Sequence, residues 1–132
     1  MKDREIENFI KEIRVKFPDV SINIDNWLEH QGYTEDDKMY TSMMEAFSQS
    51  TTDHIKEKNT ESAQMHLNYI SNKLMSASTK EYEYIDVYYV ESLMWDIEDK
   101  SILKYGWNLM PNNLKKLYTD MWEKKPFEFY HE

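Results

Sequence analysis

The 132-residue sequence contains no cysteine, only two glycines and only three prolines. Without cysteine there is no disulfide framework, no zinc–thiolate site and no thiol nucleophile. The glycines, Gly32 and Gly106, lie far apart. A Rossmann turn, a P-loop or a kinase loop concentrates several glycines within a few residues, so all three are excluded. Tight β-hairpins lean on Asn-Gly turns, and no Asn-Gly occurs. No stretch approaches the roughly 18 consecutive apolar residues of a membrane span. The N-terminal run Met1-Lys2-Asp3-Arg4-Glu5-Ile6-Glu7 is charged where a secretory signal carries an apolar core. These absences predict a cytoplasmic protein with no membrane contact.

Positive charge is also scarce. Sixteen Lys and Arg face 25 Asp and Glu, for a formal net charge of -9. A field of that sign repels nucleic acid and anionic membrane and draws basic partners. Residues 1–66 hold 8 basic and 14 acidic side chains and residues 67–132 hold 8 and 11, so there is no separate charged tail.

What is present is helical pattern. Hydrophobic residues make up 40% of the chain, enough for one core in a domain of this size. Ile6, Phe9, Ile10, Ile13 and Phe17 recur at three and four, one face of a helix that Pro18 ends. A short second helix is expected from Asp25 as N-cap to Gln31, with Gly32 in the left-handed closing position. Thr34 before Glu35-Asp36-Asp37 is a capping hydroxyl followed by acids where the helix dipole favours them. Met39, Tyr40, Met43, Met44 and Phe47 form the buried stripe of that helix, which either continues past Ile55 or breaks in the polar run Ser48–Thr52. Asn59 or Thr60 restarts a helix with Ala63, Leu67, Ile70 and Leu74 inward. Residues 81–97 are apolar on nearly every side, which predicts a central helix. A short helix or turn follows at Ser101–Tyr105, and Pro111 opens the last long helix as its first residue, with Leu114, Leu117, Tyr118, Met121 and Trp122 inward. The expectation is all-α: a single domain of six or seven helices.

Catalytic constellations do not emerge. The histidines are His30, His54, His66 and His131, and none makes a His-x-x-x-His pair on one helix face. Glu128-x-x-His131 matches half of a helical di-iron motif, which needs two copies and further glutamates. No serine sits in a Gly-x-Ser-x-Gly elbow. No cofactor, metal site or enzymatic activity is therefore expected.

Aromatic residues reach 14% of the chain, and core filling accounts for Phe9, Phe47, Trp95 and Trp122. The eleven apolar positions of 81–97 exceed what a small helical domain buries, so some tyrosines there are expected at the surface, ring and hydroxyl together, as at interface hot spots. That stretch also carries Glu81, Glu83, Asp86, Glu91, Asp96, Glu98 and Asp99 before the first basic residue, Lys100. The acids read either as a solvated rim or as a recognition surface for a basic partner. Glu35, Asp36 and Asp37 are a second such cluster, for which helix capping is the competing account. The Met39, Met43 and Met44 stripe reads as core, or as an adaptable binding groove.

The segment Tyr105-Gly106-Trp107-Asn108-Leu109-Met110-Pro111-Asn112-Asn113-Leu114-Lys115-Lys116-Leu117-Tyr118, ending at Met121-Trp122, with Tyr89-Val90-Glu91-Ser92-Leu93 before it, resembles a group of small bacterial helical proteins. Some of these look like immunity partners of polymorphic toxins, including contact-dependent growth inhibition systems. The resemblance covers residues 85–123 and supports the fold more than any site. It implies a protein that neutralises a cognate toxin domain, a basic nuclease such as an RNase, by covering its active site or substrate surface, without binding nucleic acid itself. Glu81, Tyr82, Glu83, Tyr84 and Asp86, then Glu35, Asp36 and Asp37, are the candidate toxin-binding residues. The alternative is a helical adaptor that binds a protein through its Met and aromatic surface.

Overall fold

In a computed structural model, which describes residues 4–129, the chain is all-helical with seven α-helices among those residues. They are α1 (Arg4–Lys16), α2 (Pro18–His30), α3 (Tyr40–Lys56), α4 (Thr60–Met75), α5 (Thr79–Glu83), α6 (Lys100–Leu109) and α7 (Asn112–Trp122). A 3-10 turn at Glu35–Asp37 precedes α3, a π-helical segment at Tyr84–Val90 continues α5, and a 3-10 turn at Pro126–Phe129 follows α7. The longest helix, α3, is central and packs on α1, α2, α4, α6 and the π segment. No described helix is long and apolar enough to cross a membrane.

The apolar face of α1 is buried as its spacing predicts, with Ile6, Phe9, Ile10 and Ile13 inside. Pro18 both ends α1 and begins α2, because a proline is tolerated in a first turn whose N–H groups lack helical partners. The second helix is therefore a full turn and more longer than an Asp25 start allows, and Val20, Ile24 and Leu28 form its buried stripe. Gly32 ends it at φ +83°. The Tyr33 and Gly32 N–H groups reach back to the carbonyls of Leu28 and Glu29, a Schellman closure.

Thr34 opens only a 3-10 turn. Its N–H donates to the Asp37 carboxylate at 2.7 Å, and Lys38, at φ +54°, turns the chain before α3 starts at Tyr40. Once begun, α3 runs without a break through Ser48, Ser50, Thr51 and Thr52 to Lys56, and these four hydroxyl residues are buried. In place of the expected central helix at 81–97 stand α5, the π segment and a run of turns. The i→i+5 closure of a π turn widens the spiral, so Tyr84 and Ile85 are buried together with Tyr89 and Val90, five residues on. Met94, at φ +63°, is buried where the turns meet α6.

Gly106 on α6 marks a close approach: a Cβ there would lie 2.6 Å from Met94 Sδ and 2.9 Å from Ile55 Cγ2. Asp99 caps the start of α6 by accepting from the Ser101 and Ile102 N–H groups, and the helix runs to Leu109, beyond the short turn expected. Pro111 is the N-cap of α7, one residue before the helix proper.

Candidate functional site

The candidate binding residues occupy three different settings. Glu81 is committed to the fold. Its backbone N–H donates to Ser78 Oγ at 3.2 Å, its carboxylate accepts from the Ser78 N–H at 2.9 Å, and Lys73 lies 3.3 Å away. Tyr84 is buried by the π turn, 5.2 Å ring to ring from Tyr88, so it does not surface as expected. Tyr82 and Glu83 are exposed, and Asp86 is half-buried.

Glu35, Asp36 and Asp37 are exposed on the 3-10 turn, but the hollow beside them also contains Lys11, Arg14 and Lys38. Arg14 bridges at 2.8 Å to Asp25 and lies 4.0 Å from Glu35. This patch is mixed in sign, and Asp37 is spent on the turn itself.

A third group of acids is not compensated. Glu91, exposed just past the π segment, faces Glu45 of α3 and Asp86. Burial and then the Glu91 charge raise the Glu45 carboxyl above its ordinary value. Burial, then Glu91 and Asp120, do the same to Asp86. Among the described residues none of the three has a basic partner within ion-pair distance.

Beside these acids lies an aromatic groove of about 200 Å³ whose lining includes Glu91, Trp95, Leu103, Tyr118, Trp122 and Phe129. Trp95 and Trp122, expected in the core, are 65% and 39% exposed. The turns after Val90 lift Trp95 off the helical face that would have buried it. Its ring is nevertheless fixed, because the indole N–H donates to Gln49 Oε1 at 2.7 Å, and Gln49 also holds Asp53 at 2.9 Å and Asp96 at 3.3 Å. An exposed, oriented tryptophan beside unpaired carboxylates is suited to a partner that brings both apolar surface and positive charge.

A separate polar seam runs through the interior. Ser48 Oγ donates to the Tyr89 carbonyl at 2.7 Å, and Thr52 Oγ1 accepts the Met94 N–H at 2.9 Å. Thr51 Oγ1 lies 2.7 Å from the Tyr89 hydroxyl, 3.0 Å from His66 Nδ1 and 3.2 Å from the Phe47 carbonyl. Burial, then the charge of His54, lowers His66 to about 4. Burial raises the Tyr89 phenol above its ordinary value despite the Thr51 contact. His66 ends within reach of His54 and Asp19, the one set of potential metal ligands of this kind among the described residues. Of the Glu128–His131 pair, His131 lies outside the described residues.

The model of DUF7674, a domain of unknown function, matches residues 10–123. The chain belongs to that family. The match runs from α1 to just beyond the end of α7, so the family fold takes in the N-terminal helices as well as the segment 85–123. No curated protein and no solved structure matches the chain.

Proposed function

We propose that this DUF7674 protein is a non-catalytic, cytoplasmic protein-binding domain that neutralises a basic toxin domain, a nuclease such as an RNase, by covering its phosphate-binding surface. The observation that carries the reading is the uncompensated cluster of Glu45, Asp86 and Glu91 beside the fixed, exposed ring of Trp95. Like charges held together raise the free energy of the unbound protein, and a cationic surface relieves that repulsion on binding. The net charge of -9 adds long-range attraction, which speeds capture of a basic partner. Aromatic anchors then supply the desolvated contact that slows release. The resemblance of residues 85–123 to small bacterial helical proteins, some of which look like immunity partners of toxins, supports this choice of partner class.

Affinity capture of the tagged chain from its native host, with elution by a salt gradient, tests the proposal. One basic nuclease fragment at near-equal stoichiometry, released by salt and inhibited by the chain, is the expected result. A partner that salt does not release, or a nuclease whose activity is unchanged, would overturn it and favour an adaptor that binds through apolar surface. Charge reversal at Glu83 and Asp86 is expected to weaken the complex and flatten its salt dependence.

A further inference from the structure

His54 on α3 and His66 on α4 are separated by eleven residues, and Asp19 comes from the first turn of α2, yet their ligand atoms all lie within 4.8 Å of one another. We propose that Asp19, His54 and His66 form a zinc-binding site that ties α2, α3 and α4 together and leaves a fourth coordination position for water or an incoming ligand.

The ligand spacing suits that ion. His54 Nε2 and Asp19 Oδ2 are 3.1 Å apart. Two ligands at about 2.0–2.1 Å from a tetrahedral zinc stand only slightly farther from each other than that. The imidazoles of His54 and His66 meet edge to face with centroids 5.1 Å apart, so the rings do not stack across the space between their nitrogens.

Each histidine is also held at its other nitrogen, as zinc-bound imidazoles are. His66 Nδ1 is 3.0 Å from Thr51 Oγ1, which has a second acceptor available in the Phe47 carbonyl. With the Thr51 hydroxyl donating to Phe47, its oxygen accepts the His66 Nδ1–H, and the Nε2 lone pair is free for a metal. His54 Nδ1 is 3.2 Å from the Asn59 side-chain amide. Turned end for end, that amide presents oxygen at the same reach and accepts a His54 Nδ1–H, which places the second lone pair on Nε2. The ion has a route from solvent, because the Asp19 side chain is 53% exposed while the His54 side chain is 18% exposed.

The test uses the full chain freed of any polyhistidine tag and of metal, titrated with zinc chloride in competition with a chromophoric chelator. The expected result is uptake of one equivalent, accompanied by a rise in Tm, and cobalt(II) in place of zinc should give the visible absorption of a four-coordinate ion. Asp19→Asn and His54→Ala should each abolish this uptake while the far-ultraviolet circular dichroism stays as in the parent. Asn59→Ala, which removes only a support, should weaken uptake about 10- to 100-fold. Failure of the chain to compete for zinc would overturn the proposal. So would uptake that persists unchanged in Asp19→Asn, whose folding is not at risk because the side chain is half in solvent.

Discussion

The interior seam around Thr51 and the surface around Glu91 are both polar, yet they obey opposite rules. Within the seam, the hydroxyls of Ser48, Thr51, Thr52 and Tyr89 each have a hydrogen-bond partner, and three of these bonds join α3 to the chain between Tyr89 and Met94. On the surface, Glu45, Asp86 and Glu91 meet only like charge. A satisfied buried network fixes geometry and has little left to offer a partner. An exposed cluster of unpaired carboxylates does the reverse, adding little to stability and retaining its capacity to bind.

The sharpest way to break this comparison is Thr51→Val. The substitution keeps the shape and removes the hydroxyl, leaving the Tyr89 phenol and His66 Nδ1 without their shared partner in the interior. Each buried group left unsatisfied costs about 1–3 kcal/mol, so for the two a loss of about 2–6 kcal/mol is expected in urea denaturation. Partner affinity, measured well below the unfolding midpoint, should be unchanged. Trp95→Ala is the mirror experiment. It should weaken the complex by about 2 kcal/mol or more, as loss of an aromatic anchor does. Because 65% of the residue is already in solvent, the midpoint of unfolding should barely move. If both variants damage binding equally, the two regions are not separate.

Gly106→Ala probes the junction between them, where Met94 leaves the seam and presses on α6. Alanine gains about 1 kcal/mol of helix propensity over glycine. Against this, its methyl would meet Met94 Sδ at 2.6 Å and Ile55 Cγ2 at 2.9 Å, and overpacking of that kind costs about 1–3 kcal/mol. Packing wins, and a net loss of about 1 kcal/mol should appear as a lowered Tm. Gly32→Ala tests backbone strain alone, since nothing lies within 4 Å of its added methyl while φ is +83°. It should cost about 1 kcal/mol.

The same contrast explains which parts of the molecule were legible in the sequence. Apolar spacing marks α1, α4 and α7, and Gly32 marks the end of α2. The start of α2 was hidden because Pro18 carries two messages, stop and start, and Asp25 offered a rival cap. The seam is hidden because the polar run of Ser48, Ser50, Thr51 and Thr52 leaves open whether α3 breaks or continues, although each of the four is buried. His66 left a faint trace beside Leu67 on the inward face of α4. At the surface, the expectation that some tyrosines of 81–97 emerge holds for Tyr82, but Tyr84 and Tyr89 are buried, and Trp95 and Val87 emerge beside it. The cause is the i→i+5 closure of the π segment, which buries Tyr84 with Tyr89, and, for Trp95, the turns that follow Val90. Asp19, His54 and His66 have no common spacing at all, and three helices have to pack before they meet.

The smallest expected effect is the most discriminating. Glu91→Gln removes the charge that Glu45 and Asp86 share as a neighbour. Both carboxyls are held above their ordinary values, so the folded state binds more protons than the unfolded state in the pH range just above those values. Their contribution therefore favours folding at low pH and is lost as pH rises through that range. Relieving the repulsion should stabilise the neutral-pH protein by only about 0.3 kcal/mol, because the groups are substantially solvated and screened. The gain should shrink when the pH is lowered far enough to protonate Glu45 and Asp86, and part of their upward shift should survive, since burial is its first cause. Carboxyl titrations followed by nuclear magnetic resonance, together with urea denaturation at both ends of the range, measure these effects. The same substitution should slow association with a basic partner, most clearly at low salt. A variant that is more stable and binds more slowly is what an acidic recognition surface requires; one that loses stability would place Glu91 among the groups that hold the fold.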